Sequence, residues 1–318
     1  MSAVSLTGVT KDYVVRARAG RIRRERREVR AVDAISFDNA PGEMVGYLGP
    51  NGAGKSTTIK MITGILTPSA GTLRVLGLHP STDRSALAQR IGVVFGQRSQ
   101  LWWDLPLQES FDLLHHIYDT DPARHAHNVG AFVEQLDLAD FLDVPVRQLS
   151  LGQRMRGELT ASLLHDPEVV VLDEPTIGLD VVSKYAVREF LREVNAERDT
   201  TVLLTTHDLD DVEQLCERIM VIDEGRVLLD GPLDAFKAEH GTTRTLIVDL
   251  ERAADPLKIL HGEVYRVDGP RQWIRFDRRQ ASAAQLIEAV TEEHPIRDLS
   301  IEEPEIEDLI RRIYESDA

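Results

Sequence analysis

The sequence predicts an α/β fold with a mostly parallel β-sheet, followed by a small second domain of mixed α and β structure. Two observations support this fold class. Short apolar runs typical of buried strands alternate with helical patterns along residues 4–231, and this alternation is typical of parallel sheets, because each parallel connection needs a crossover. After residue 243, three strand patterns follow one another and two helical patterns come last.

Each predicted element follows from a local pattern of apolar residues and turn residues. A Pro41-Gly42-Glu43 turn, for example, precedes a compact apolar strand. The predicted strands of the first part are residues 4–10, 31–37, 44–48, 72–76, 91–95, 169–172, 201–204, 219–223 and 226–230. Its predicted helices are residues 56–66, 84–90, 181–196 and 209–217, and the pattern is helical over 107–166. In the last part of the chain, the same patterns predict strands at 244–250, 263–267 and 273–276, and helices at 280–293 and 304–315.

This order of elements predicts two domains. The first covers residues 1–236 and includes a helical subdomain at about 100–166. The second covers residues 243–318 and shows no constellation of catalytic residues, so a role in dimer contact or regulation is a hypothesis. The break between them is expected around 237–243, where the run Lys-Ala-Glu-His-Gly interrupts the alternation of strands and helices.

Composition and charge narrow the possible functions. The net charge is −16 over 318 residues, which argues against non-specific binding to nucleic acid, since such binding neutralises phosphates. No apolar run approaches the roughly 18 to 20 residues that cross a bilayer, and the N-terminus lacks the apolar stretch of a secretory signal, so we expect a cytoplasmic chain. The single cysteine, Cys216, rules out an internal disulfide and falls in a helical pattern as a small buried residue.

One segment reverses the charge of the chain. Residues 16–30 contain eight arginines and two glutamates, a local net charge of +6 that leaves −22 for the remainder. One hypothesis is a basic arm that contacts anionic headgroups or a membrane subunit, where each cation is worth about 1 kcal/mol. The alternative is a solvated loop whose charges do nothing specific. The sequence leaves both open for this arginine-rich insertion.

The main chemical motif is a phosphate-binding loop that follows a predicted strand and opens a predicted helix. It matches the pattern G-x-x-x-x-G-K-[ST] and consists of Gly49, Pro50, Asn51, Gly52, Ala53, Gly54, Lys55, Ser56 and Thr57. Glycines let backbone N–H groups converge on phosphate oxygens, and the helix N-terminus favours the negative charge. Lys55 supplies a cation for the β and γ phosphates, and the Ser56 hydroxyl can ligate Mg²⁺.

Two carboxylates follow a later apolar strand. The run Val169-Val170-Val171-Leu172 ends in Asp173 and Glu174, which places both at the carboxyl edge of the sheet, where ligands bind in open α/β folds. Asp173 is a candidate for holding Mg²⁺, mostly through water, and Glu174 for polarising the attacking water. Together with the phosphate loop, this pair predicts hydrolysis of a nucleoside triphosphate.

Residues 4–231 also resemble the nucleotide-binding subunit of an ABC transporter. That resemblance rests on further motifs in the family's order: Tyr13, Val94-Phe95-Gly96-Gln97, Leu149-Ser150-Leu151-Gly152-Gln153, Gly178-Leu179-Asp180 and Thr205-Thr206-His207-Asp208. It implies a P-loop NTPase core with a helical signature subdomain and ATP and Mg²⁺ as ligands. It also implies roles for the matching residues: Tyr13 stacks on adenine, Gln97 touches Mg²⁺ and senses the membrane partner, and His207 contacts the γ-phosphate.

The signature at 149–153 resembles the family's device for a shared site. The start of the helix at Ser150 and Gly152 offers donors to a phosphate, and in the family, that phosphate belongs to ATP held by the opposite subunit. Gln153 completes this part of the binding site, and Asp180 lies in the family's dimer-contact loop. Two copies are therefore expected to close head to tail over two ATP molecules. Leu151 departs from the family's usual glycine, and we expect it to be tolerated, because the phosphate contacts fall on its neighbours.

The subgroup is indicated by Gln97-Arg98-Ser99-Gln100-Leu101-Trp102-Trp103-Asp104-Leu105-Pro106 and by Arg154-Met155-Arg156 after the signature. These runs resemble bacterial ATPases that export drugs, antibiotics or viologens, as does the C-terminal part. The resemblance implies separate permease subunits in the membrane and a peripheral location of this chain on the inner face of that membrane. A short coupling helix of the permease would reach a groove near Trp102 and Trp103. Ordinary core packing is the alternative for the two tryptophans.

Two other classes remain as alternatives. A soluble ABC-type ATPase acting on ribosomes or DNA is disfavoured by the single cassette, by the absence of sustained heptads between the phosphate loop and the signature, and by the acidic charge. An importer ATPase shares all the ATP chemistry and differs only in the subgroup resemblance. The transported substrate lies beyond what this chain's sequence specifies.

Overall fold

The computed structural model describes residues 2–18, 24–96, 99–304 and 306–317, with side chains at 2–15, 27–96, 99–304 and 306–315. It divides into two compact units, Met1–Gly231 and Pro232–Ala318. The division therefore falls between Gly231 and Pro232, a few residues before the end predicted for the first domain. Residues 232–236, which the sequence analysis included in the first domain, belong to the second unit.

The first unit begins with a three-stranded antiparallel sheet. Its strands are β1 (Val4–Arg18), β2 (Arg24–Asn39) and β4 (Ala70–Val75), in the order β2-β1-β4. The fourth strand pairs with β1 only as far as Thr10. Beyond that point, β1 pairs with β2 alone, from Asp12 opposite Arg30 to Arg18 opposite Arg24.

This two-stranded ribbon corrects the prediction for the arginine-rich insertion. The sequence analysis ended one strand at residue 10 and began the next at 31, because dense charge obscured any apolar alternation. Backbone pairing instead carries both strands into residues 16–18 and 24–30. At the base of the ribbon, Arg30 forms an ion pair with Asp12 at 2.9 Å and with Asp33 at 3.0 Å, so part of the positive charge is neutralised within the fold.

A six-stranded sheet forms the centre of the first unit. Its strands are β3 (Met44–Leu48), β5 (Ile91–Phe95), β6 (Val169–Asp173), β7 (Thr201–Thr205), β8 (Arg218–Asp223) and β9 (Arg226–Pro232), in the order β5-β6-β7-β3-β8-β9. The first five strands in this order run parallel, as the alternation predicted. The predicted final hairpin turns at Glu224 and Gly225, both with positive φ (44° and 78°), which is the geometry of a type I′ turn.

The helices of the first unit lie between the strands along the chain. They are α1 (Lys55–Ile62), α2 (Arg84–Ala88), α3 (Leu107–Tyr118), α4 (Pro122–Gln135), α5 (Leu151–Leu163), α6 (Val181–Arg198) and α7 (Leu209–Leu215). Two short 3₁₀ turns, Ala139–Phe141 and Val146–Gln148, separate α4 from α5. One buried apolar cluster takes side chains from both sheets and from α1, including Val4, Phe37, Tyr47, Ile59 and Val171. This cluster fixes the phosphate loop relative to both sheets.

The second unit is a four-stranded antiparallel sheet with three helices. Its elements are α8 (Leu233–His240), β10 (Thr243–Leu250), β11 (Gly262–Asp268), β12 (Arg271–Asp277), α9 (Ala283–Glu293), β13 (Ile296–Glu302) and α10 (Ile306–Asp317), with strand order β11-β12-β10-β13. The sequence analysis missed α8 and β13. The final strand has one side chain after another exposed, so it lacks the apolar alternation that reveals a half-buried strand.

Within the ranges that the structure describes, no helix is both long enough and apolar enough to span a bilayer.

Candidate nucleotide-binding site

The phosphate loop connects the end of β3 to the start of α1. Gly52 and Gly54 have φ values of 91° and 106°, in the left-handed region that glycine adopts at low cost. A Cβ atom on Gly54 would also lie 2.6 Å from the carbonyl oxygen of Ala31. Only glycine therefore fits where the loop passes β2 and turns into the helix, whose N-terminus favours a bound phosphate.

Lys55 is the first residue of α1, and its side chain is buried. Its ammonium group donates to the carbonyl oxygen of Pro50 at 3.0 Å and to that of Gly49. Burial lowers the pKa of Lys55, and the nearby charges of Glu174 and Asp173 act in the opposite direction. The cation is thus held over the loop in a partly desolvated position, where its attraction to a phosphate is stronger than in water.

Asp173 and Glu174 stand at the carboxyl end of β6, next to β7. The hydroxyl of Thr205 donates to Asp173 Oδ1 at 2.6 Å, and the backbone N–H of Glu174 donates to the Thr205 carbonyl at 2.8 Å. Glu174 has a φ of 56°, an uncommon conformation for a residue with a side chain, often found at functional sites. The neighbouring strand therefore fixes the Asp173 carboxylate and the backbone of Glu174.

His207 follows the end of β7 and faces Glu174. Its Nδ1 lies 3.3 Å from Glu174 Oε1. The His207 side chain is 63% exposed and that of Glu174 is 25% exposed, so the imidazole stands at the open side of the site. The contact brings the candidate water-polarising carboxylate and the candidate γ-phosphate contact together.

These groups line one cavity of about 790 Å³ at the carboxyl edge of the parallel strands. From the predicted site, its lining includes Asn51, Gly52, Gly54, Lys55, Ser56, Thr57, Asp173, Glu174 and His207. This volume lies within the usual range for small-molecule sites, roughly 300–1,000 Å³. Gly49, Pro50 and Ala53 shape the loop without lining the cavity, and Gln97 falls outside the described residues, although its neighbour Gly96 lines the cavity.

The cavity also offers the donor types that Mg²⁺ prefers. The Ser56 hydroxyl and the Asp173 carboxylate both line it, and hard oxygen ligands with phosphate and water are the usual set for this ion. No cluster of three or more His, Cys, Asp or Glu that could hold a metal by itself is found among the described residues. Ser56 and Asp173 would supply two protein oxygens to a magnesium ion, with phosphates and water as its other ligands.

Tyr13 is placed away from this cavity lining. It lies in β1 opposite Val29, on the two-stranded ribbon, and the Lys11 ammonium sits 5.5 Å from its ring centre. Ala31, two residues beyond Val29 on β2, does line the cavity. The Tyr13 ring is not part of the cavity lining, and its stacking on adenine stays a prediction.

The signature residues form the start of α5, outside the cavity. Ser150 caps the helix: its hydroxyl accepts from the Gln153 backbone N–H at 3.2 Å, and its own N–H donates to Gln153 Oε1 at 2.9 Å. This reciprocal capping box fixes the first turn of α5. Gln153 therefore supports the helix start from within the same chain.

The start of α6 packs against this turn. Asp180 caps α6 by accepting from the Ser183 N–H at 2.9 Å and from its hydroxyl at 3.1 Å, and these hydrogen bonds lower the pKa of Asp180. A Cβ on Gly152 would lie 2.9 Å from Ser183 Oγ, and one on Gly178 would lie 2.7 Å from a methyl carbon of Leu151. Leu151 therefore rests on the loop that precedes α6.

Around this junction lies a surface that we call the α5–α6 face. It comprises Ser150, Leu151, Gly152, Val181, Val182 and Tyr185. Its large apolar side chains are strongly exposed: 39% for Leu151, 83% for Val181, 79% for Val182 and 67% for Tyr185. Contiguous exposed apolar side chains of this kind mark interaction surfaces.

Sequence reasoning missed several residues that support the site. Thr205 anchors Asp173, and the buried Thr176, Thr206 and Asp211 connect the loops behind Glu174 and His207. The paired threonines at the end of β7 were a weak signal in the sequence. The contacts of Asp211 join segments distant in the chain, and no local pattern reveals them.

Known proteins resemble this chain in sequence and in fold. The model of the "ABC transporter" family matches residues 32–177. The Nod factor export ATP-binding protein I of Paraburkholderia xenovorans is 40% identical over 214 residues, covering 67% of this chain and 69% of that protein. A daunorubicin/doxorubicin resistance ATP-binding protein of Streptomyces peucetius is 33% identical over 304 residues, covering 86% of this chain and 91% of that protein.

A solved structure shows the same likeness. An ATP-binding cassette determined as a dimer in a post-hydrolysis state, with ADP and phosphate bound, superposes with a TM-score of 0.63 at 26% identity. The match covers 72% of this chain and 98% of that one. The fold and the region containing the cavity are thus similar to those of a nucleotide-hydrolysing cassette.

Proposed function

Because this chain belongs to the family of ABC transporter ATP-binding proteins, we propose that it powers an exporter through separate permease subunits. The proposed substrates are drugs, antibiotics or other hydrophobic or cationic compounds. As a family member, the chain binds and hydrolyses ATP. One observation above all carries the assignment of its residues: the phosphate loop, both carboxylates and His207 line a single cavity. The names of its relatives, which concern export of Nod factors and drug resistance, support the direction of transport.

The geometry supports a separate role in ATP hydrolysis for each of the chain's own groups. The loop backbone and Lys55 hold the β and γ phosphates, and Glu174 polarises the attacking water from the other side of the cavity. His207 stands 3.3 Å from Glu174 and would contact the γ-phosphate. Asp173 and Ser56 would hold Mg²⁺, which when bound neutralises charge on the phosphates. Such transfer reactions depend mostly on positioning and charge stabilisation.

A second copy of the chain is part of this proposal. The signature residues Ser150 and Gly152 lie outside the cavity of their own chain, on the exposed α5–α6 face. They would contact the nucleotide bound by a second copy, head to tail, with Asp180 at the contact. ATP-driven closure of two copies would then supply the conformational change, and hydrolysis would let the copies separate.

The membrane partner is inferred from the subgroup resemblance and one surface feature. Trp102 and Trp103 are 36% and 51% exposed, which argues against ordinary core packing for them. The backbone N–H of Trp102 donates to the Ser110 hydroxyl at 3.3 Å, and the Arg154 guanidinium lies 5.7 Å from the centre of the Trp103 ring. These rings would receive a short helix of the permease and hold the chain at the inner face of the membrane.

A direct test replaces the proposed water-polarising residue. Glu174→Gln removes the negative charge and keeps the shape, so we expect ATP turnover to fall by about 10²–10⁴-fold while ATP binding persists. Phosphate release and nucleotide binding are measured on the same preparation. Turnover near the wild-type rate would remove Glu174 from the proposed mechanism.

A further inference from the structure

Asp211, on α7, is a fully buried carboxylate that three other segments supply with hydrogen-bond donors. The hydroxyl of Thr176 donates to Oδ2 from the loop after β6, and the hydroxyl of Thr206 donates to the same oxygen at 3.2 Å from the loop after β7. From α6, Arg188 Nε donates to Oδ1 at 2.7 Å. Loss of any of these donors would leave a buried carboxylate oxygen without its hydrogen-bond partner, which is costly.

The two threonines belong to the loops that carry the proposed hydrolytic pair. Thr176 comes two residues after Glu174, and Thr206 directly precedes His207. His207 is mostly exposed, so its own side chain has little packing to fix it. Its distance from Glu174 therefore depends on how the two loop backbones are held, and Asp211 links those backbones from behind.

The same network reaches the start of α6. Arg188 Nη2 also lies 3.8 Å from Oδ1 of Asp208, the residue after His207. The Lys184 ammonium donates to Oδ2 of the same carboxylate. Burial acts against ionisation of Asp208, but the hydrogen bond from Lys184 and the charges of Lys184 and Arg188 lower its pKa. Lys184 lies within one turn of Val181 and Val182 on the α5–α6 face, so an ionic connection runs from that face to the His207 loop.

We propose that Asp211 is a positioning residue for ATP hydrolysis, which sets the spacing of Glu174 and His207 and, through Arg188, couples that spacing to contacts at the α5–α6 face. This inference rests on the proposed roles of Glu174 and His207. The alternative is that Asp211 and Arg188 form a purely structural ion pair that stabilises the fold without affecting the chemistry. Misplacement of a reacting group by about 1 Å costs about a hundredfold in rate, so the two accounts differ measurably.

The test removes one hydroxyl at a time. Thr176→Val and Thr206→Val keep side-chain shape and delete the donors to Asp211, and we expect each to lower kcat by about tenfold with KM for ATP within about twofold. Thr176→Ser and Thr206→Ser keep the donor and should retain near wild-type kcat. Asp211→Asn should lower kcat further, by up to about a hundredfold, where it folds.

A matched control lies at the other end of α6. Arg198 forms an ion pair with Asp166 at 2.5 Å, away from the nucleotide cavity. Arg198→Met should lower the melting temperature and leave kcat unchanged. Thermal unfolding of every variant then separates loss of stability from loss of positioning.

Glu174→Gln measured in parallel separates failure of the inference from failure of the proposed function. If Glu174→Gln turns over ATP at the wild-type rate, the proposed function of the pair fails. If Glu174→Gln is inactive but both Thr→Val variants keep wild-type kcat, or the Thr→Ser variants lose as much as the Thr→Val variants, the positioning role of Asp211 is overturned.

Discussion

The nucleotide cavity and the α5–α6 face hold nearly all the motif residues of this chain, and they are built in opposite ways. In the cavity, the ends of several parallel strands converge and Lys55 is buried. Thr205 on β7 bonds to the Asp173 carboxylate and to the backbone N–H of Glu174. On the α5–α6 face, the first turns of two helices are well capped, but their large apolar side chains point outwards, with Val181 and Val182 about four-fifths exposed.

From this difference we infer which part of the proposed site the chain completes alone. The cavity brings together the residues that we propose for phosphate binding, Mg²⁺ and water activation. The α5–α6 face has capped helix starts and exposed apolar side chains, and none of its residues lines the cavity. The side-chain caps at Ser150 and Asp180 stabilise the first turns of both helices, which is the arrangement expected of a surface that binds a partner.

The largest effect is expected when negatively charged residues are introduced into the α5–α6 face. Val182→Asp combined with Tyr185→Asp should lower ATP turnover by about tenfold or more, since like charges across a contact disfavour association by several kcal/mol. ATP binding by the single chain should be unchanged, because neither residue lines the cavity. Leu260→Asp, at another strongly exposed apolar residue, in the second unit, is the control and should leave turnover intact. Equal turnover in the face variant and the control would contradict a role for the face.

A smaller effect is expected when Leu151, which departs from the glycine usual in the family signature, is replaced. Leu151 rests against Gly178, so Leu151→Gly removes this contact and places glycine at the first position of α5. We expect the free energy of unfolding to fall by about 1 kcal/mol and turnover to stay within a few-fold of the wild type. Denaturant unfolding and steady-state kinetics check both. A large gain in turnover would instead show that Leu151 restrains closure.

The smallest effect concerns pH at the start of α6. Hydrogen bonds from Ser183 hold the pKa of Asp180 below its ordinary value, so the stabilisation is present above that ordinary value, about 3.9, and is lost as pH falls through the lowered one. Asp180→Asn keeps a capping side chain without a charge. We expect the melting-temperature difference between wild type and Asp180→Asn to shrink as the pH is lowered from 7 to 3. A constant difference would show that the ionised cap contributes nothing.

The sequence predicted the cavity better than its surroundings. The phosphate loop and the pair Asp173–Glu174 were recognisable because each is a local pattern at the end of an apolar strand, and parallel strands bring such ends together. The ribbon at residues 11–18 and 24–30 was missed because its strands consist largely of charged residues. The links from Asp211 to Thr176 and Arg188 were missed because they depend on tertiary contacts between distant segments.

The central claim is that ATP completes a site shared by two copies of this chain. The most direct measurement is the molar mass of Glu174→Gln in solution, by light scattering, with and without saturating ATP and Mg²⁺. We expect a monomer without nucleotide and a dimer with it, and no dimer when Val182→Asp and Tyr185→Asp are added. A Glu174→Gln protein that binds ATP yet remains monomeric at every concentration tested would contradict the shared site.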